Sequence, residues 1–307
     1  MTDIVPPAEP SAERPAERPS APVERIADAP VRAPRRPLGP LFVTGAILVG
    51  GVIAAALVSF VWTPYDPVKV DASARLLWPN AEHWFGTDKF GRDIFSQILV
   101  GARTTLYVGI IAVGLASVIG TPLGIFAGMS KRSGLNEVVM RGNDLLLAFP
   151  ALLLAIMFGA VFGASTLTAM IAIGIATIPS FARLARSGTL QVMSTEYVLA
   201  ARIAGRKPVA IAWRHVLPNI FGLLIVQGSV AFAIAVLAEA ALSYLGFGTA
   251  PPTPSWGRML QEAQEQLFTL PIILLWPAVA IAIAVLGFNL LGDGLRDRFD
   301  PRLEDRR

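Results

Sequence analysis

Residues 145–182 read Leu-Leu-Leu-Ala-Phe-Pro-Ala-Leu-Leu-Leu-Ala-Ile-Met-Phe-Gly-Ala-Val-Phe-Gly-Ala-Ser-Thr-Leu-Thr-Ala-Met-Ile-Ala-Ile-Gly-Ile-Ala-Thr-Ile-Pro-Ser-Phe-Ala, 38 positions without a charged side chain. A helix crosses the hydrocarbon core of a bilayer with about 20 apolar residues. The stretch is therefore too long for one ordinary span, and its Gly163-Ala164-Ser165-Thr166 break reads as a connection outside the membrane between two helices. Working outward, residues 37–65 and 104–130 form uncharged runs of 29 and 27 on one side. Residues 215–238 and 266–292 form runs of 24 and 27 on the other, the first ending at Glu239. The pattern predicts an all-α, polytopic membrane protein with six transmembrane helices.

Composition agrees with this reading and removes several chemistries. The chain is 54% hydrophobic and 16% charged, against about 25% charged for a soluble domain, which excludes an ordinary cytosolic enzyme. It has no cysteine, hence no disulfide, thiolate metal site or cysteine nucleophile, and with two histidines it has too few ligands for a catalytic zinc cluster. The residues preceding its lysines are Val68, Asp88, Ser130 and Arg206, so no Gly-Lys-Ser/Thr phosphate loop exists. Glu239 is the one acid well inside a predicted span, too little for a proton relay. The chain cannot power itself by these routes, which leaves a channel or a subunit driven by others.

The 26 basic and 22 acidic residues say little as a sum and much by position. Segments 1–37, 129–143, 183–214 and the C-terminal tail hold 20 Lys and Arg, while 63–103 and 244–268 hold 6. Positive charge is retained in the cytoplasm, so both termini are expected inside. Residues 1–37 carry 9 of the 24 prolines, a tandem Ala-Glu-Arg-Pro repeat at 12–19, and 6 charges of each sign. This composition predicts a disordered cytoplasmic tail that is not a secretory signal. The first span, 38–63, is an uncleaved anchor. After it come an extracytoplasmic segment with an interfacial helix (64–103), a transmembrane core (104–293) that holds the loop 194–218, and a short cytoplasmic tail (294–307).

The segment 194–218 between the fourth and fifth spans carries the most information. Ser194 or Thr195 is placed to cap a helix with Glu196 in its first turn, Gly205 to end it in a left-handed conformation, and Pro208 to open a second short helix. Ala200, Ala201 and Ala204 give the first helix a small-residue surface on which another protein can sit. The spacing Leu199-Ala200-Ala201, Gly205 and His215-Val216-Leu217-Pro218 resembles the coupling loop of ABC-importer permeases, which docks in a cleft of the ATPase subunit. Leu199 stands where that family usually has Glu. The resemblance implies that Glu196, Leu199, Ala200, Ala201, Gly205, Leu217 and Pro218 couple this chain to an ATPase.

Three further stretches carry a resemblance to the C-type permease of dipeptide, oligopeptide and nickel importers. They are Glu82-His83-Trp84-Phe85-Gly86-Thr87-Asp88-Lys89-Phe90-Gly91-Arg92-Asp93 with Gly101-Ala102-Arg103, then Glu239 to Gly248 with Pro251 to Gly257, and then Phe288-Asn289 with Gly292 to Asp297 and Asp300-Pro301. Together the motifs cover about 65–303 and imply the type I ABC importer permease fold.

Each stretch also has a local reading. Asp93 can cap a short helix whose Ile94, Phe95, Ile98 and Leu99 share one face, suited to lying on the outer leaflet. Gly86, Asp88, Gly91, Arg92, Asp93, Asn289 and Asp293 read as structural. A carboxylate in a span is costly unless it is paired, protonated or wet. Glu239 therefore either lines the pathway or is held by backbone or by an arginine such as Arg103 or Arg258, and Ser243 and Trp256 accompany it as candidate pathway or gate residues. Arg183 and Arg186 complement the C-terminus of the fourth span and face lipid or a partner, and Asp144 caps the third. Prolines 122, 150, 179 and 277 lie in spans and can kink them.

The resemblance implies a bacterial inner-membrane permease working by alternating access. It pairs with a homologous second permease, with two ATP-binding subunits or a fused pair, and with an extracytoplasmic substrate-binding protein. No cofactor is expected on this chain, ATP and Mg being bound by the partners. Membrane lipid is the surrounding medium, and nucleic acid is not an expected partner. The chain itself is not expected to be an enzyme. Di- and oligopeptides are the expected cargo, with nickel, glutathione or another small solute as the alternative, and a stand-alone channel or facilitator as the reading from another class.

Overall fold

The computed structural model describes residues 39–130 and 133–299, and the expectations for the tail at 1–37 and for 300–307 lie outside the described residues. In chain order the helices are α1 (Pro40–Val61), α2 (Ile94–Met129), α3 (Ser133–Ala148), α4 (Ala151–Phe162), α5 (Thr166–Met193), α6 (Glu196–Ile203), α7 (Pro208–Ile211), α8 (Leu217–Tyr244), α9 (Trp256–Ala263) and α10 (Ile272–Phe299). α1, α2, α5, the path from α7 through α8, and α10 are each long and apolar enough to cross a membrane.

The third expected span, with Pro150 in it, is broken more sharply than a kink. α3 and α4 qualify only as a pair, bent by 82° across Phe149 and Pro150. Proline has no amide hydrogen and drives the residue before it out of the helical region, so Pro150 serves as the N-cap of α4 and not as a kink within it. The 12 residues of α4 span about 18 Å, short of the ~30 Å hydrocarbon thickness. Asp144, expected to cap this span, sits in the third helix and pairs with Arg183 of α5 at 2.6 Å. The break at 163–166 is as expected. Gly163 has φ 88°, and the Ser165 side chain caps α5 by accepting from the Thr168 amide.

α2 corrects a second expectation. Asp93 caps it, accepting from the Ser96 amide at 2.7 Å, but the helix it starts runs unbroken for 36 residues. The turns at 94–99 are thus the protruding end of the second span and not a separate interfacial helix. Part of their apolar face is covered by protein. Ile94 is buried with Trp256, Met259 and Ala263 of α9 and Ile273 of α10.

Two glycine seams set the packing. Gly120, Gly124 and Gly128 recur every four residues on α2 and so lie on one face. A Cβ at these positions would fall 2.6 Å from the Ile178 carbonyl oxygen, 2.3 Å from the Ala182 carbonyl oxygen and 2.8 Å from Thr189 on α5. In lipid, helices associate through such close backbone approach. α1 and α10 meet the same way, Gly45 against the Leu291 backbone at 2.4 Å and Gly294 against Phe42 at 2.6 Å. The expected structural residues of that region, Asn289 and Asp293, are half-buried and exposed respectively. The close contacts there belong to the glycines.

Gly124→Val should force α2 and α5 apart, an overpacking cost of ~1–3 kcal/mol or more. It should lower the melting temperature of the detergent-solubilised chain, whereas Gly114→Ala, with nothing within 4 Å of the new Cβ, should not. Equal melting temperatures for the two variants would count against the seam.

Candidate functional site

α6 and α9 lie at opposite ends of α8, whose 28 residues span about 42 Å. At the α6 end, the predicted first helix of the 194–218 segment is present. Ser194 and Thr195 shape it differently from a simple cap. Their hydroxyls bond back to the carbonyls of Gln191 at 2.8 Å and Val192 at 2.7 Å at the end of α5, and no side chain caps α6. Gly205 ends the helix with φ 72°, its amide on the Arg202 carbonyl and the Arg206 amide on the Ala201 carbonyl. This is the paired closure that a left-handed glycine permits.

The second helix is not separate. From Pro208 the chain continues helically through a π-turn at Ala212–Val216 into α8, so the expected bracket is one short helix hinged to a span. The reason is local. Pro218 cannot donate to the carbonyl of Arg214, the Leu217 amide instead reaches the Ala212 carbonyl, and the Asn219 side chain takes the His215 carbonyl at 2.6 Å. The Leu217-Pro218 pair thus shapes the entry of the fifth span.

α6 is anchored on one side and bare on the other. Val198 is fully buried with Val192, Ile211, Val216 and Ile220. Tyr197 meets the His215 ring at 5.9 Å, and Arg202 reaches the Met193 sulfur at 3.8 Å. Leu199 is 45% and Ile203 88% exposed, and Glu196 and Ala200 are exposed beside them while Ala201 is half-buried. A helix with an anchoring residue and an uncovered apolar face can transmit a push only if something sits on that face. Arg183 and Arg186, expected near here at a helix end, lie inside α5 and bind α3 through Asp144 and Asn136.

At the α9 end, five predicted residues form one knot. Asp88 accepts from the amides of Phe90 and Arg92 at 2.8 and 2.9 Å, from Arg92 Nε at 2.6 Å and from Gln97 at 3.1 Å. Arg92 also reaches Glu262 on α9, which receives Arg258 at 2.8 Å. Asp93 holds His83 Nδ1 at 3.0 Å through its other oxygen. Gly86 and Gly91 both have φ 79°, and a Cβ on Gly91 would lie 1.8 Å from the Asp71 carbonyl oxygen. Glu262 and Lys89, which pairs with Glu265 at 2.7 Å, were not anticipated. The signal for the first was Arg258 and Glu262 four apart, the spacing of neighbours on a helix.

Glu239 is 1% exposed. Its Oε1 accepts from Ser243 at 2.6 Å and Thr249 at 3.2 Å, and the Thr249 amide donates to Ser243 at 2.9 Å. Neither expected arginine partner is used, since Arg103 donates to Ser59 and Arg258 to Glu262. Trp256 is 2% exposed; its indole donates to the Ile98 carbonyl at 3.0 Å and its ring fills the space a Gly101 side chain would take. The structure brings Glu239 and Ser243 together and places Trp256 in the α2–α9 contact. None of the three lines the apolar groove of about 810 Å³ between α2 and α8, whose walls include Val113, Phe126, Trp213 and Phe221. Among the described residues no three His, Asp or Glu side chains gather to hold a metal.

Residues 120–305 match the family described as binding-protein-dependent transport system inner membrane component. The chain is 42% identical over 264 residues to a dipeptide transport system permease protein of Alkalihalophilus pseudofirmus, covering 86% of each. It is 39% identical over 286 residues to a glutathione transport system permease protein of Pectobacterium atrosepticum, covering 91% of this chain and 95% of that one. A chain of the inward-facing MetNI methionine ABC transporter superposes with TM-score 0.57 at 17% identity, over 66% of this chain and 96% of that one. That likeness fixes the fold, the type I permease arrangement. The chain belongs to the binding-protein-dependent transport system inner membrane components and is the permease subunit of an ABC importer.

Proposed function

We propose that this permease carries short peptides across the bacterial inner membrane, glutathione, itself a γ-linked tripeptide, falling within the same class. Support comes from relatives at about 40% identity named for dipeptide, peptide and glutathione transport and matched over most of the chain. The α6 end faces the cytoplasm together with both termini. The excess of Lys and Arg in the segments on that side carries this orientation.

In this reading α6 is the coupling helix, and the observation that carries it is the uncovered face of Leu199, Ala200 and Ile203. An ATPase subunit covers that face, and a second permease completes the pathway with a second ATPase on its own loop. ATP and Mg act on the ATPases. Their closure displaces α6, and the buried Val198 and the Tyr197–His215 contact pass the motion to α5 and α8. Leu217 and Pro218 set the junction through which it reaches the span. At the other end, the Asp88–Arg92–Glu262 knot and the Glu239–Ser243–Thr249 cluster hold the outer loops in one arrangement, toward which a substrate-loaded binding protein docks.

Because the chain has no cysteine, single introduced cysteines report topology directly. Thr253→Cys should react with a membrane-impermeant maleimide in intact cells and Ala200→Cys only after permeabilisation; the reverse order would invert the orientation. Ala200→Glu should abolish uptake and substrate-stimulated ATP hydrolysis at unchanged membrane abundance. Gly205→Val, forced to a left-handed φ at ~1–2 kcal/mol, should do so too. Full stimulated hydrolysis in both variants would remove α6 from the coupling path. Glu239→Leu leaves two buried hydroxyls without their acceptor and should cost ~1–3 kcal/mol of stability, while Glu239→Gln should keep both stability and KM. A raised KM in the Gln variant at unchanged stability would instead put Glu239 in contact with the cargo.

A further inference from the structure

Arg103 belongs to the Gly101-Ala102-Arg103 motif, yet neither the knot at the α9 end nor the coupling helix uses it. It is half-buried, lies near the α9 end of the spans and forms no ion pair among the described residues. Two contacts orient it. Its guanidinium lies over the Phe60 ring, 4.0 Å from the centroid, and its Nε donates to Ser59 at 2.5 Å. Ser59 is fixed in turn, its own hydroxyl donating to the Ala56 carbonyl at 2.6 Å. One face of the guanidinium and its Nε are thereby taken, and among the described residues the two terminal nitrogens have no partner. Guanidinium is planar and presents its donors as a fork that matches carboxylate and phosphate oxygens two at a time.

That fork borders a pocket of about 340 Å³ walled by Ser59, Thr63, Pro67, Val100, Thr253 and Pro254 among others. The size falls at the small end of ligand sites. Its walls are fastened before any ligand arrives. The Thr104 hydroxyl, one residue along from Arg103, holds the Pro254 carbonyl at 2.9 Å. Among the described residues the hydroxyls of Thr63 and Thr253 make no hydrogen bond and are available as further donors.

We infer that Arg103, with Thr63 and Thr253, forms an oxyanion-binding site at the outer end of α1 and α2, taking a carboxylate or phosphate group. The anion comes either from a dissolved solute or from the phosphate of an anionic phospholipid. Ser59 and Phe60 position the guanidinium and do not touch the anion. The site is independent of the peptide assignment.

Phenylglyoxal, which modifies arginine, tests it on the wild-type chain in its transporter complex, with modified peptides quantified by mass spectrometry. In detergent, inorganic phosphate or acetate should slow modification of Arg103 several-fold and leave the exposed Arg296 unchanged. In nanodiscs, phosphatidylglycerol should protect Arg103 relative to phosphatidylcholine if the lipid is the source. Protection by the soluble ions assigns a solute site, and protection by phosphatidylglycerol alone assigns a headgroup site. Thr253→Val, on an exposed loop residue that leaves Arg103 and its supports in place, should reduce whichever protection is seen. Modification of Arg103 at one rate under all these conditions would overturn the proposal.

Discussion

The close approach of α2 to α5 is the constraint on which the remaining architecture rests. A hydrocarbon solvent gives helices no hydrophobic reason to associate, so contact must come from dispersion and from backbones that can nearly touch. Gly120, Gly124 and Gly128 supply that contact along two full turns, and nearly everything else is arranged around the resulting pair. Gly109 of the same helix admits the Phe232 ring of α8, and that ring stacks on Phe288 of α10 at 3.9 Å. α10 then receives α1 through its own glycines. The bundle is thus assembled by backbone proximity first and by large side chains second.

Its two ends are built on opposite principles. The α9 end is closed by polar groups that answer one another, with Asp88, Arg92, Glu262 and Arg258 forming a chain of charge-assisted bonds. Phe85 stacks on Trp276 of α10 at 4.0 Å to press the same segment onto the spans. At the α6 end the only deep anchor of the short helix is Val198, and its remaining apolar surface is open. A densely bonded end and a sparsely anchored short helix at the other are what the proposed coupling needs.

The sequence made the spans legible because charge is excluded from hydrocarbon at high cost, and the runs between charges mark them directly. The Asp93 cap and the left-handed Gly205 were equally readable, being decided within five residues. The angle at Pro150 was not, since Pro122, Pro179 and Pro277 sit inside continuous helices, and whether a proline breaks a helix, and in which direction, is decided by packing. Arg183 looked like a helix-end residue because its partner, Asp144, stands 39 positions away. α9 was hidden for a related reason. Eight residues with an arginine and a glutamate read as loop until Trp256 and Met259 are seen buried against α2. The buried Glu239 was visible as an anomaly, but its partners Ser243 and Thr249 became evident only once the loop after α8 folded back.

The nearly bare α6 has a bearing on how much of this protein a cell can keep. Leu199 and Ile203 stand in water when no other chain covers them, and burying apolar surface is worth roughly 25 cal/mol per Å². An unaccompanied copy therefore carries both a thermodynamic handicap and a hydrophobic mark that quality-control proteases and chaperones can read. On the proposed reading, a chain seated on α6 covers Leu199 and Ile203 and removes that handicap.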